Sequence, residues 1–105
     1  MNCEYVIEFS ALAANDLEEI SDYISSTLYA EQAAKKLMRK ILKQLRQLAS
    51  MPEMCPLLDN SALEKKHYRK LVVDNYVVLY SVDHEKEKVN VIRMFYGARD
   101  YEKFL

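Results

Sequence analysis

From Ala13 onward, apolar residues recur at Ala13, Leu17, Ile20, Ile24 and Leu28, in steps of four, three, four and four, with Asp16, Glu18, Glu19 and Asp22 between them. Such steps keep one face of an α-helix apolar, so this stretch is an amphipathic helix, and Ser10 ahead of it has the side chain of an N-cap. The period repeats at Ala34, Leu37, Met38, Ile41, Leu45 and Leu48. This second helix begins near Ala30 and stops before Pro52, because proline removes an amide and clashes with the preceding turn. The link from Thr27 to Tyr29 is short enough to make the pair an antiparallel hairpin.

Outside the helices the period shortens toward two. Residues 3–9 (CEYVIEF) are rich in strand formers, and residues 51–63, which hold both prolines, read as a loop. Three further runs follow: Leu71 to Val73, Tyr76 to Val82 and Val89 to Tyr96, separated by Asp74-Asn75 and by the charged stretch Asp83 to Lys88. β-branched and aromatic residues suit a pleated, half-buried surface, and short polar breaks fit an antiparallel meander. Asp and Asn at a tight reversal accept positive φ and bond their own backbone. The expected fold class is α+β: an N-terminal strand, an antiparallel two-helix hairpin, then a three-stranded antiparallel meander, with the helices on one face of the sheet. The other face is expected to be free. Its candidates are Tyr68, Arg69 and Lys70, then Tyr76 and Tyr80, then Arg93 and Tyr96, although alternation with valine makes the two middle tyrosines read first as core.

At 105 residues the chain is expected to be a single domain, 1–105, with one core. No apolar stretch approaches the roughly 20 residues that span a bilayer, and Glu4 and Glu8 replace the basic start of a signal peptide, so a cytoplasmic protein with no membrane association is expected. Cys3 and Cys55 lie far apart with no CxxC and no histidine at ligand spacing, so neither a metal nor another cofactor is expected. The net charge of −1 conceals a segregated distribution. Residues 1–34 carry seven acids and no Lys or Arg, whereas residues 35–50 carry Lys35, Lys36, Arg39, Lys40, Lys43 and Arg46 and no acid. A nucleic-acid binder ordinarily shows a basic excess, because each neutralised phosphate adds affinity through counterion release, so any such site here is local. The basic helix face is either solvated or a contact surface for an acidic partner or phosphates.

The C-terminal block carries more specific information. The order strand, helix hairpin, Arg69-x-Leu71, Tyr76-x-Val78-x-Tyr80, then Val91-Ile92-Arg93-Met94-Phe95-Tyr96-Gly97-Ala98-Arg99-Asp100-Tyr101, resembles the RelE/ParE superfamily of toxins from type II toxin–antitoxin (plasmid stabilisation) modules. The resemblance covers essentially the whole chain. It implies a growth inhibitor neutralised by a cognate antitoxin, with DNA contacted only through that antitoxin. Activities in the superfamily divide between ParE-like inhibition of DNA gyrase and RelE-like, ribosome-dependent cleavage of mRNA, and a third state is a decayed toxin retained as co-repressor. Tyr96 occupies a slot where relatives often carry His, and Ala98 one where many carry a second basic residue.

Metal-free RNA cleavage needs a base for the 2′-hydroxyl, cations for a crowded phosphorane and a proton for the leaving oxygen. Arg69, Arg93 and Arg99, with Lys70, supply cations suited to a phosphate clamp. Acid and base are harder to assign: Tyr96 and Tyr101 are phenols with an ordinary pKa of about 10, and His67 and Glu64 are the remaining candidates. The catalytic candidates, for a nuclease, are therefore Arg69, Arg93, Tyr96, Arg99 and Tyr101, and the partner-binding candidates are Lys36, Lys40, Lys43, Lys70 and Arg93. The weak charge and the missing acid–base pair favour the ParE-like reading.

Overall fold

The computed structural model describes residues 4–27, 29–57 and 67–96. The order of elements is β1 (Val6–Phe9), α1 (Ala11–Asp22), a π-helical turn (Tyr23–Thr27), α2 (Glu31–Ser50), β2 (Arg69–Val73), β3 (Tyr76–Asp83) and β4 (Lys88–Tyr96). Ser10 caps α1 as its sequence position requires, its hydroxyl accepting the Ala13 amide at 3.0 Å. The wider π coil at the end of α1 coincides with Ser25, whose hydroxyl donates to the Ser21 carbonyl at 2.9 Å and so competes for the helical ladder. α2 ends at Ser50, two residues before Pro52.

The sheet order is β1-β4-β3-β2. The three C-terminal strands form the expected antiparallel meander, while β1 joins β4 in parallel, Val6 beside Lys88 and Phe9 beside Val91. Asp74 makes the two-residue reversal between β2 and β3 at φ 53°. In the next hairpin the Asp83 carboxylate accepts the Lys86 amide at 3.1 Å, fixing the turn locally.

One side of the sheet meets the helices. Leu71, Val73, Val78, Tyr80, Val89, Val91 and Met94 pack with Ala13, Leu37, Ile41, Leu45 and Leu48 into the main core. Tyr80 is fully buried, and its hydroxyl donates to the Pro52 carbonyl at 2.9 Å, tying the post-helix loop to the sheet. Burial, and then hydrogen bonding with Cys55, hold this phenol protonated well above its ordinary range.

The second face is not the bare surface expected from counting helices. Val77, Leu79 and Phe95 are buried there, with Tyr68 and Ile92 packed against them. Val77, Leu79 and Phe95 are outward positions of β3 and β4 that are apolar, and they gather into a cluster of their own beside the polar Arg93.

A β-bulge decides which residues share that face. Leu79 pairs with Arg93 but Tyr80 pairs with Val91, leaving Ile92 as an extra residue in β4. Val89 and Val91 point to the helices; beyond the bulge it is Met94 that does so, and Arg93 and Phe95 turn outward. Without the insertion Arg93 would continue the parity of Val91.

Candidate functional site

The most tightly built polar centre joins α1 to β4. The Asp16 carboxylate accepts from Arg93 Nε at 2.8 Å and Arg93 Nη2 at 3.1 Å, and its Oδ2 also accepts the Met94 amide at 3.0 Å. β1 ends at Phe9, so among the described residues the edge of β4 beyond Val91 has no strand beside it. Three groups from the helix start complete it: the Ser10 amide donates to Val91 O at 2.9 Å, the Ser10 hydroxyl to Ile92 O at 2.7 Å, and Asp16 takes Met94 N–H. The Arg93 guanidinium also lies over the Phe95 ring, 5.1 Å from its centroid. The hydrogen bond to Asp16 raises the Arg93 pKa above its already high ordinary value, so this cation is permanent. Asp16 is the site residue that sequence reasoning missed. In the periodic pattern it reads as one of the solvent-side acids of α1, and only its place directly before Leu17 on the core stripe sets it apart.

Arg69 is held in a different network. Its Nη1 donates to the Cys55 carbonyl at 2.6 Å, and its Nη2 reaches Glu53 Oε2 at 3.2 Å. Glu53 Oε1 lies 3.5 Å from His84 Nε2, and His84 Nδ1 is 2.7 Å from the Tyr5 hydroxyl. The chain of contacts ties β2, the loop after α2, the β3–β4 hairpin and the segment before β1 into one clasp.

Register puts Arg69 and Arg93, two members of the expected clamp, on opposite faces of the sheet. Arg69 stands opposite Tyr80, which faces the helices, whereas Arg93 stands opposite Leu79, which faces away. Each arginine is already bonded to a carboxylate of its own chain. Tyr96 shares the helix-side parity of Tyr76 and is 58% exposed, so it too lies across the sheet from Arg93. The Tyr76 and Tyr96 rings meet edge to face at 5.3 Å. Burial, then the nearby phenols of Tyr96 and Tyr23, raise the Tyr76 pKa. Lys70 does share the outer face with Arg93: both pair with Leu79, from opposite sides. Their backbones are therefore two strand spacings, about 10 Å, apart. Arg99 and Tyr101, like Gly97, Ala98, Asp100 and Glu64, lie outside the described residues.

On α2, Lys40 bonds both Asp74 oxygens at 3.2 Å, tethering the helix to the β2–β3 reversal. Lys36 and Lys43 are exposed and form no ion pair among the described residues. His67 is exposed at φ 54° just before β2. Among the described residues no group of three His, Cys, Asp or Glu is arranged to hold a metal ion, and no helix is long and apolar enough to cross a membrane.

A helical hairpin on one face of a four-stranded sheet with a parallel N-terminal edge is the RelE/ParE-like toxin fold, and solved structures of that fold superpose on this chain. A chain of the chromosomal ParDE system from P. aeruginosa matches with a TM-score of 0.70 at 17% identity, covering 90% of this chain and 97% of that one. The intact E. coli RelBE toxin–antitoxin complex matches at 0.58 and 21% identity, covering 90% and 99%. The RelBE2 complex from Mycobacterium tuberculosis matches at 0.54 and 18%, covering 94% and 98%. A comparison with curated protein sequences gives no match. The family model described as the ParE toxin of type II toxin–antitoxin system, parDE, matches residues 7–101, and the chain belongs to that family.

Proposed function

We infer that this chain is the toxin of a type II module, held inactive by an antitoxin in the cytoplasm, and that it acts by occupying a protein target in the ParE manner, with DNA gyrase as that target. The observation that carries this reading is the separation of Arg69 and Arg93 onto opposite faces, each bonded to a carboxylate of its own chain. A phosphorane needs cations that converge on one point, whereas a protein surface needs only side chains held in fixed positions. The net charge of −1 supports the same reading, because lodging in ribosomal RNA favours a strong positive excess. The greater superposition on the ParDE chain than on the RelBE chains agrees with it.

The antitoxin reading draws on the neighbours, which are toxin–antitoxin systems. The exposed cations Lys36 and Lys43 beside Lys40, and the Lys70–Arg93 row on the outer face, are the surfaces offered to it. The test expresses the chain alone under tight control, pulse-labels DNA and protein synthesis, and adds purified chain to a gyrase supercoiling assay. Inhibited supercoiling with translation initially intact is expected. An early collapse of protein synthesis with mRNA cut at ribosomes would overturn the reading in favour of a nuclease, and undisturbed growth would mark a decayed toxin retained as co-repressor.

A further inference from the structure

Between the π-helical turn and α2 lies an open cleft of about 620 Å³ that the preceding argument does not use. Ser21, Ser25 and Ser26 line one wall, Glu31, Lys35 and Arg39 the other, and Ala34 and Met38 lie between them; the one carboxylate of the cleft, Glu31, is answered by Lys35. Its chemistry is directional. Lys35 is 3.6 Å from Glu31, one turn back, so its charge is partly satisfied. Arg39, one turn further along, is exposed and makes no ion pair among the described residues. The Ser25 hydroxyl has spent its proton on the Ser21 carbonyl, which leaves Ser21 and Ser26 with hydroxyl protons that no described hydrogen bond uses. A planar guanidinium facing hydroxyl donors is a receptor for a two-oxygen anion.

We propose that this cleft is an oxyanion subsite, and that the group it takes is a carboxylate on an acidic segment of the antitoxin, with an adjacent apolar side chain resting on Ala34 and Met38. The proposal rests on the antitoxin reading given above. Two features favour a carboxylate on an extended partner over a small free anion. Buried Ala34 and half-buried Met38 give the cleft an apolar strip that a phosphate ion cannot use. The cationic run also continues past the cleft through Lys36, Lys40, Lys43 and Arg46 with no acid between residues 35 and 50. From Lys35 to Arg46 that is about 16 Å of helix, the length of a partner segment rather than of one ion. Arg39 and the serines then fix the register of a segment that the remaining cations attract without orienting.

The product of a small reading frame abutting this one, co-purified and then separated, is the probe. Its affinity for wild-type chain, Arg39→Gln and Arg46→Gln is measured by calorimetry at two salt concentrations. The two variants remove the same charge from the same exposed helix, one inside the cleft and one two turns beyond it. Arg39→Gln is expected to weaken binding by about tenfold or more and Arg46→Gln by less than about threefold. Equal losses would reduce the helix to diffuse attraction and overturn the subsite. A parallel titration with inorganic phosphate, following the Ser25, Ser26 and Arg39 amides by NMR, separates the sources of anion. Saturable millimolar phosphate binding, combined with an Arg39→Gln variant of unchanged antitoxin affinity, would overturn the carboxylate assignment. Failure of wild-type chain to bind the probe at all would instead sink the antitoxin reading, and this assignment with it.

Discussion

Removing the Asp16 carboxylate perturbs the centre that joins α1 to β4. Asp16→Ala takes from the Arg93 guanidinium, whose side chain is 19% exposed, the carboxylate that bonds its Nε and Nη2, and strips the Met94 amide of its acceptor. Breaking a buried pair by deleting one partner costs about 3–5 kcal/mol, and the residual water contact of both side chains places this one near about 3 kcal/mol. An orphaned buried amide adds about 1 kcal/mol or more. The total, about 4 kcal/mol, is a large share of the roughly 5–15 kcal/mol that holds such a domain together, and lowers the Tm by roughly 15–20 °C. Asp16→Asn keeps an acceptor for Met94 but loses the charge, and should cost about half as much. Urea unfolding followed by far-ultraviolet circular dichroism gives both values, and a double-mutant cycle with Arg93→Gln isolates the pair. An Asp16→Ala loss below about 1 kcal/mol would refute the argument, since exposed pairs behave that way. Equal losses for Ala and Asn would refute the role given to the amide.

Other consequences can be checked separately. Tyr80 and Tyr76 have raised pKa values in the folded chain, so on alkaline titration the unfolded chain releases these protons first; their stabilisation is intact below about pH 10 and is lost as pH rises beyond it. The urea midpoint should therefore fall steeply above that pH, and Tyr80→Phe should flatten the fall while costing about 1 kcal/mol at neutral pH through the lost bond to Pro52. Asp74→Val should cost about 1–2 kcal/mol in the same assay because a β-branched residue resists φ 53°, whereas Asp74→Gly should cost little beyond the half-exposed bond to Lys40. Charge reversal at Lys40 and Lys43 together should weaken antitoxin binding with a reduced salt dependence, and calorimetry showing unchanged affinity would remove the α2 face from the interface.

The helices were legible because Ala34, Leu37, Ile41, Leu45 and Leu48 obey their period without exception, and the meander because Asp74 and Asn75 leave the chain no other economical path. The parallel attachment of β1 was not legible, since a four-residue edge strand carries no mark of its partner. Nor was the bulge. Ile92 is an ordinary strand residue, and its status as an insertion exists only in the pairing of Tyr80 with Val91 and Leu79 with Arg93. That one residue sets the face of Arg93 to Tyr96, which is why Arg69 and Arg93, convergent in the sequence reading, are divided in the fold. The Asp16–Arg93 contact spans 77 positions and is likewise a product of topology, not of local pattern.

The way α1 dresses the end of β4 also bears on self-association. An open strand edge invites another copy of the same strand, and natural sheets guard such edges by covering them or by placing charge against them. Here Ser10 and Asp16 do both within one helical turn and a half, occupying Val91 O, Ile92 O and Met94 N–H. The Asp16→Ala variant should therefore fail twice, losing stability and baring an edge flanked by the apolar Met94 and Phe95. Light scattering during refolding should then show association that Asp16→Asn, still covering the edge, largely escapes.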